Sequence, residues 1–310
     1  MSGSPLLSRR AALLGGLASL PLAPLATGPL AGAAAGGAPA RLPRVVSMDF
    51  GLAETLIEIG VPPLALPNPG IWGDWVVEPA LPPGLVNLGA DLEPNLELLA
   101  ALKPDLIVTT PYLAGVRPLL EACAPTHEIS VYAPPVGHPY DRSVAGTRQL
   151  AAAVGRVAEG EALIARAEAT LQAAGRAFAA SGAKGRPVLI VQFLDTRHVR
   201  VYGPGGLFGD VIERTGLVNG WAQPGNYWGF STMGIEALVG ASASRLVYLE
   251  PIAPDTLDRL AASPLWNSLP FVRAGRVDRM PAALMFGMLP SAMRFARELA
   301  RVLAGETAHG

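Results

Sequence analysis

The sequence predicts an α/β protein of two lobes joined by one long helix, and three observations carry that reading. Thirty prolines are scattered along 310 residues, yet none falls between Pro139 and Pro187. Inside that gap Leu163, Ala167, Leu171, Ala174 and Phe178 recur at spacings of three and four, an apolar stripe on a helix covering Glu159 to Ala180. Glu161, Arg166, Glu168, Gln172 and Arg176 mostly fall away from it. On either side, short β runs alternate with helices. A helix of about 25 residues would be about 37 Å long. The expected divisions are 1–40 as export signal and tail, 41–155 as a first α/β lobe, 156–182 as the linking helix and 183–310 as a second α/β lobe.

Taken in order, Arg44 to Asp49 is a short buried-strand pattern, and Leu52 to Gly60 a helix with Leu52, Leu56 and Ile59 on one face. Strands are expected at Pro62–Leu66, Leu85–Leu88, Asp105–Thr110 and His127–Tyr132, with helices at Leu96–Leu102 and Pro118–Ala122. Between them a loop from Pro67 to Pro83 holds Trp72 and Trp75, which are either core plugs or a binding surface. Asp141 is placed to cap a helix to Val154, and Gly155 separates that helix from the long one. The second lobe reads as strands Val188–Phe193, His198–Tyr202, Leu246–Leu249 and Gly275–Met280. Its helices are Leu207–Thr215, Ile235–Val239, Leu257–Ala262 and the closing Ser291–Leu303, and a loop from Asn219 to Phe230 holds Trp221, Tyr227 and Trp228.

The N-terminus reads as an export signal. Ser8-Arg9-Arg10 leads into an Ala/Leu/Gly run, with cleavage after Ala33 or Ala40. The paired arginines suggest the twin-arginine route to the periplasm. Net charge is −1, which implies no nucleic-acid partner. The single Cys123 excludes an internal disulfide.

The obvious catalytic signatures fail. Gly203-Pro204-Gly205-Gly206-Leu207-Phe208-Gly209 has phenylalanine where a dinucleotide loop needs glycine. Gly229 to Gly234 is one residue too long for a nucleophile elbow. The four histidines have no ligand spacing. A ligand-binding protein with its cleft between lobes is the simplest reading. The competing class is an exported hydrolase using Ser231, Asp195 and His198.

At Glu93-Pro94-Asn95-Leu96-Glu97-Leu98-Leu99, with Leu102-Lys103-Pro104-Asp105 after it, the chain resembles the periplasmic substrate-binding proteins of iron-siderophore ABC importers. Trp75 to Pro82, Val201-Tyr202-Gly203-Pro204, Asn226-Tyr227-Trp228-Gly229 and Thr256 to Arg276 resemble the ferric hydroxamate-binding branch. The resemblance runs from about Arg44 to Leu303. It implies the helix-bridged, class III fold, small closure movements, a monomer and no catalytic residue or cofactor. The transported ligand would be a ferric siderophore, with haem, a cobalamin or a catecholate siderophore as alternatives for the same role.

Carried over by position, Trp75, Tyr112 and Trp228 fall on or beside cleft-lining places. The expected cleft is shallow, between a Trp75–Tyr112 wall and a Trp228 wall, with Asn226 and Ser231 adding polar contacts. The branch has an arginine where Asp91 stands, and an aromatic cluster where Leu284, Met285 and Phe286 stand. Arg117, Arg148 or Arg197 would have to replace that cation. Glu97 and Glu236 each open a helix, and the resemblance sets one such glutamate per lobe against arginines of the membrane permease.

Overall fold

The computed structural model describes residues 41–134 and 137–305. The export-signal reading of 1–40 and the tail His309 lie outside them. The first sheet holds β1 (Val45–Ser47), β2 (Ala65–Leu66), β3 (Val86–Asn87), β4 (Leu106–Thr109) and β5 (Thr126–Glu128), all parallel in the order β3-β2-β1-β4-β5. Its connections carry α1 (Phe50–Glu58), α2 (Trp72–Trp75), α3 (Leu96–Ala101) and α4 (Arg117–Glu121). Strand order reverses between β1 and β4. A crevice therefore opens at their carboxyl ends, where the flanking connections leave on opposite sides.

α5 (Pro139–Ala153) precedes the long helix α6 (Val157–Ala180). Asp141 does not cap α5: His138 holds that place, and Asp141 sits in the first turn, where its charge still suits the helix dipole. Gly155 takes φ +71°, the left-handed break that lets one helix stop and the next begin. α6 spans 24 residues, and all five stripe positions are buried. Near its start, Gly160 lies against Ala151 of α5; nearer its end, Gly175 lies against the backbone of Thr215. One rod thus packs on both lobes.

The second sheet is mixed. It holds β6 (Pro187–Phe193), β7 (His198–Tyr202), β8 (Val218–Asn219), β9 (Phe230–Gly234), β10 (Arg245–Leu249) and β11 (Val277–Met280). Its order is β11-β10-β6-β7-β9, with β8 paired to the start of β6. The Trp228 loop ends directly in β9, which the sequence reading left without a strand. α7 (Leu207–Arg214), α8 (Pro254–Ala261), α9 (Pro264–Ser268) and α10 (Pro270–Arg273) cover this lobe, and Ile235–Ala241 is a 3-10 helix.

The last helix, α11 (Leu289–Leu303), does more than close the second lobe. It packs against α6 and α7 and also against α1 and α5. Phe295 stacks on Phe208 of α7 with ring centroids 4.1 Å apart. At the other lobe, the buried Glu54 of α1 caps the start of α11. Its Oε1 accepts from Met288 N (2.8 Å) and Ser291 N (3.2 Å), and Ser291 Oγ lies 2.7 Å from Oε2. Among the described residues no helix is long and apolar enough to cross a membrane.

Candidate functional site

The crevice at the switch of strand order is the mouth of a cavity of about 420 Å³. The residues following the first sheet's strands supply its floor and near wall: Asp49 and Phe50 after β1, Asn68 after β2, Asp91 after β3, Thr110 and Tyr112 after β4, and Tyr132 after β5. The second lobe supplies Trp228 and Phe230 at the entry to β9, and Leu284 and Phe286 after β11. The exposed surface of the lining is mainly apolar, which suits a bulky, partly apolar guest.

An aromatic cluster joins the two sides. Trp228 stacks on Tyr132 (5.6 Å between centroids) and meets Tyr112 edge-on (6.0 Å) and Phe286 edge-on (4.9 Å). The Tyr132 hydroxyl lies 3.0 Å from Met285 O and 2.8 Å from Gly287 O, so a first-lobe phenol is tethered to the second-lobe segment. Burial holds that phenol well above its usual range, reinforced by the carboxylates of Glu54 and Asp49. It remains a neutral donor. Tyr112, in contrast, is 52% exposed.

Trp228 is placed by its own loop. Asn226 Oδ1 accepts from Trp228 N (3.0 Å) and Phe230 N (3.4 Å). Gly229, at φ +80°, presses on Gly206: a Cβ there would meet Gly206 Cα at 2.1 Å. Only glycine fits that crossing.

Asp91, Tyr112, Trp228 and Phe286 therefore meet at one cavity, while three expected contacts do not. Trp75 is half-buried, packed against the cluster that includes Ala53, Leu66, Trp72, Val76 and Leu284, and is not in the lining. Trp72 is a core plug, 4% exposed, whose indole donates to Pro79 O (2.8 Å). Asn226 spends its side chain on the loop, and Ser231 lies on β9 paired with Val201, outside the lining. The expected shallow cleft between opposed walls is replaced by a recess whose rim rings already touch.

None of the three candidate arginines supplies the missing cation. Arg117 is held by Glu121 and Glu128, Arg148 by Glu161, and Arg197 lines a separate hollow beside Glu236. Arg200 stands behind Phe230, its guanidinium 4.4 Å from the ring centroid. It donates to Met285 Sδ (3.2 Å) and Gln192 Oε1 (3.4 Å), and its buried Nε has no partner among the described residues.

The sequence reading missed Asp49, Phe50 and Tyr132. Asp49 is the N-cap of α1, its Oδ1 accepting from Leu52 N (2.9 Å). Burial pushes its carboxyl up to about 6, opposed by amides of Leu52 and Gly51 and reinforced by Asp91. The hydrolase arrangement does not form. His198 pairs with Asp195 (2.8 Å) on the surface, but Ser231 lies three places along the ladder, about 10 Å away at ~3.3 Å per residue.

Two lobes on one rigid helix, with an apolar recess where their loops meet, define a ligand-binding protein. The chain belongs to the family of periplasmic binding proteins, whose model matches residues 45–284. Over 309 residues it is 31% identical to the iron(3+)-hydroxamate-binding protein FhuD of Escherichia coli (strain K12), covering 99% of this chain and 100% of that one. The Fe3+–Desferal-bound siderophore binding protein FhuD of Vibrio cholerae is similar in structure. It has a TM-score of 0.80 and 25% identity, covering 86% of this chain and 99% of that one. FhuD2 of Staphylococcus aureus, solved with ferrioxamine B, shares the fold at a TM-score of 0.66 and 18% identity, covering 85% and 98%.

Proposed function

We propose that the protein is the periplasmic binding component of an ABC importer and carries a ferric siderophore of hydroxamate type, exported by the twin-arginine signal at Arg9-Arg10. The carrying observation is the recess itself: aromatic, about 420 Å³, and, among the described residues, without Lys, Arg or His in its lining. In a ferric hydroxamate the ligand anions cancel the iron's charge, leaving a neutral shell that aromatic faces can grip. A ferric catecholate keeps surplus negative charge, and haem carries carboxylates; Asp49 and Asp91 repel both. The relatives' named ligands support the same class. Among the described residues no group of three or more His, Cys, Asp or Glu gathers as a metal-ligand set, so the iron is taken as enclosed cargo.

Titration with ferric hydroxamates is expected to quench tryptophan fluorescence at stoichiometric ligand, without turnover. If only haem, a cobalamin or a ferric catecholate quenches, the hydroxamate assignment is wrong, though a carrier role would stand.

Delivery needs a second contact. Glu97 and Glu236 are exposed, each in the first turn of a helical segment, one per lobe, and neither has an ion-pair partner among the described residues. Two separated carboxylates can meet cationic sockets on a permease and read the spacing of the lobes. Reversing both charges to lysine is expected to abolish siderophore uptake while leaving ligand affinity unchanged. Undiminished uptake by the double variant would refute the docking role.

A further inference from the structure

We propose that this site is selective for ferric hydroxamates bearing a positively charged arm, and that Asp49 and Asp91 are the groups that hold it. The inference rests on the hydroxamate reading above and narrows it to a subclass.

The lining has two charged side chains, and both are carboxylates. They come from the ends of two different strands, β1 and β3, so both acids lie on the first lobe, which also contributes Phe50, Tyr112 and Tyr132, while the second lobe contributes aromatic and apolar side chains. Neither forms an ion pair among the described residues, and Arg200, which is not in the lining, is engaged by the Phe230 ring, Gln192 and Met285. Two like charges share a partly dry cavity, and among the described residues no cation balances them. Their mutual repulsion is felt at Asp49, whose carboxyl is held up to about 6 by burial and by Asp91. An entering cation relieves both costs at once.

Local structure does not explain the pair. Asp49 caps α1, but Asn or Ser caps a helix equally well without charge. Asp91 accepts only from the adjacent Leu92 N (3.0 Å), which any polar turn residue can do. Asn68 and Thr110 show that neutral polar side chains also occur in the lining. The charge is therefore free to act on a guest. A neutral chelate body against Trp228, Tyr132 and Phe286 would direct an ammonium arm toward the two carboxylates.

The test compares probes with one chelate and different arms, at about pH 7.5, where Asp49 is ionised, and at low ionic strength. Ferrioxamine B carries a terminal ammonium; its N-acetyl derivative is neutral there and its N-succinyl derivative anionic. Ferrioxamine B is expected to bind about tenfold or more tighter than the acetylated form. The succinylated form should be weaker still, and added salt should shrink the differences. In the double variant Asp49→Asn/Asp91→Asn, whose asparagine keeps the α1 cap, the affinity ratio of the first two probes should fall toward one. Equal binding of the two by the unaltered protein overturns the inference and leaves the hydroxamate reading intact. So does a ratio that persists in the double variant. Absence of binding by all three probes overturns both.

Discussion

Trp228→Ala is expected to weaken binding of a ferric hydroxamate by about 2 kcal/mol or more, roughly thirtyfold in Kd. The side chain is the hub of the recess, in ring contact with Tyr112, Tyr132, Tyr227 and Phe286. Truncation removes its own contact area and also unseats the rings that lean on it. Trp228→Phe keeps an aromatic face in the same loop and should recover part of the loss. Because Trp228 is only half-buried, the melting temperature should move little, which separates a lost contact from a lost fold. Isothermal titration calorimetry on all three proteins decides it; unchanged affinity in Trp228→Ala would remove the aromatic wall from the argument.

The second large effect concerns stability and pH. Glu54 is fully buried between the lobes, and burial pushes its carboxyl up to about 8 against the hydrogen bonds from Ser291 and Met288. Asp49 faces it and adds to the rise. The carboxyl accepts throughout: Oε1 from the Met288 and Ser291 amides and Oε2 from the Ser291 hydroxyl. Below the unfolded-state value near 4.5, both folded and unfolded chains hold this proton and the group contributes no pH dependence. Between about 4.5 and about 8 only the folded chain holds it, so stability falls as pH rises. Across the whole window the loss is on the order of 5 kcal/mol.

Glu54→Gln mimics the protonated acid. It should flatten most of this dependence, leaving the smaller contribution of Asp49, which has the same sign. Glu54→Ala leaves two amides and a hydroxyl without their acceptor and should cost about 3 kcal/mol even at pH 5.5. Urea unfolding of the three proteins at pH 5.5 and pH 8 measures both effects. A Glu54→Gln variant with the slope of the parent would show that the proton sits elsewhere.

Much of the fold was legible because its signals are local. The α6 stripe needs only its own residues, and β7 ran from His198 to Tyr202 as read. β9 was missed because Phe230-Ser231-Thr232-Met233-Gly234 has little pattern of its own; pairing with β7 makes it a strand. Within the cavity lining, Tyr112 and Trp228 had been singled out by the resemblance, and Asp91 and Phe286 as departures from its pattern. Asp49 carried a readable signal, an acid directly between a strand and a helix at the carboxyl end of a parallel sheet, and it had been read as the end of the strand. Trp75 lies outside the lining, and an aromatic in a loop looks the same in sequence whether it faces a cavity or packs beside it. No local signal could join Glu54 to Ser291, which lie 237 residues apart. That bond exists only once both lobes are in place.

The placement of α11 also bears on when the chain can become itself. Proteins are made from the amino end, and early segments ordinarily fold as soon as they emerge. Here α1, from the first lobe, and α7, from the second, both wait for a partner encoded far downstream, at residues 289–303. Until residues 288–295 have emerged, Glu54 has no helix to cap and Phe208 lacks its stacking partner Phe295. Neither core can therefore finish packing ahead of the other: both are left open until residues 289–303 have been made.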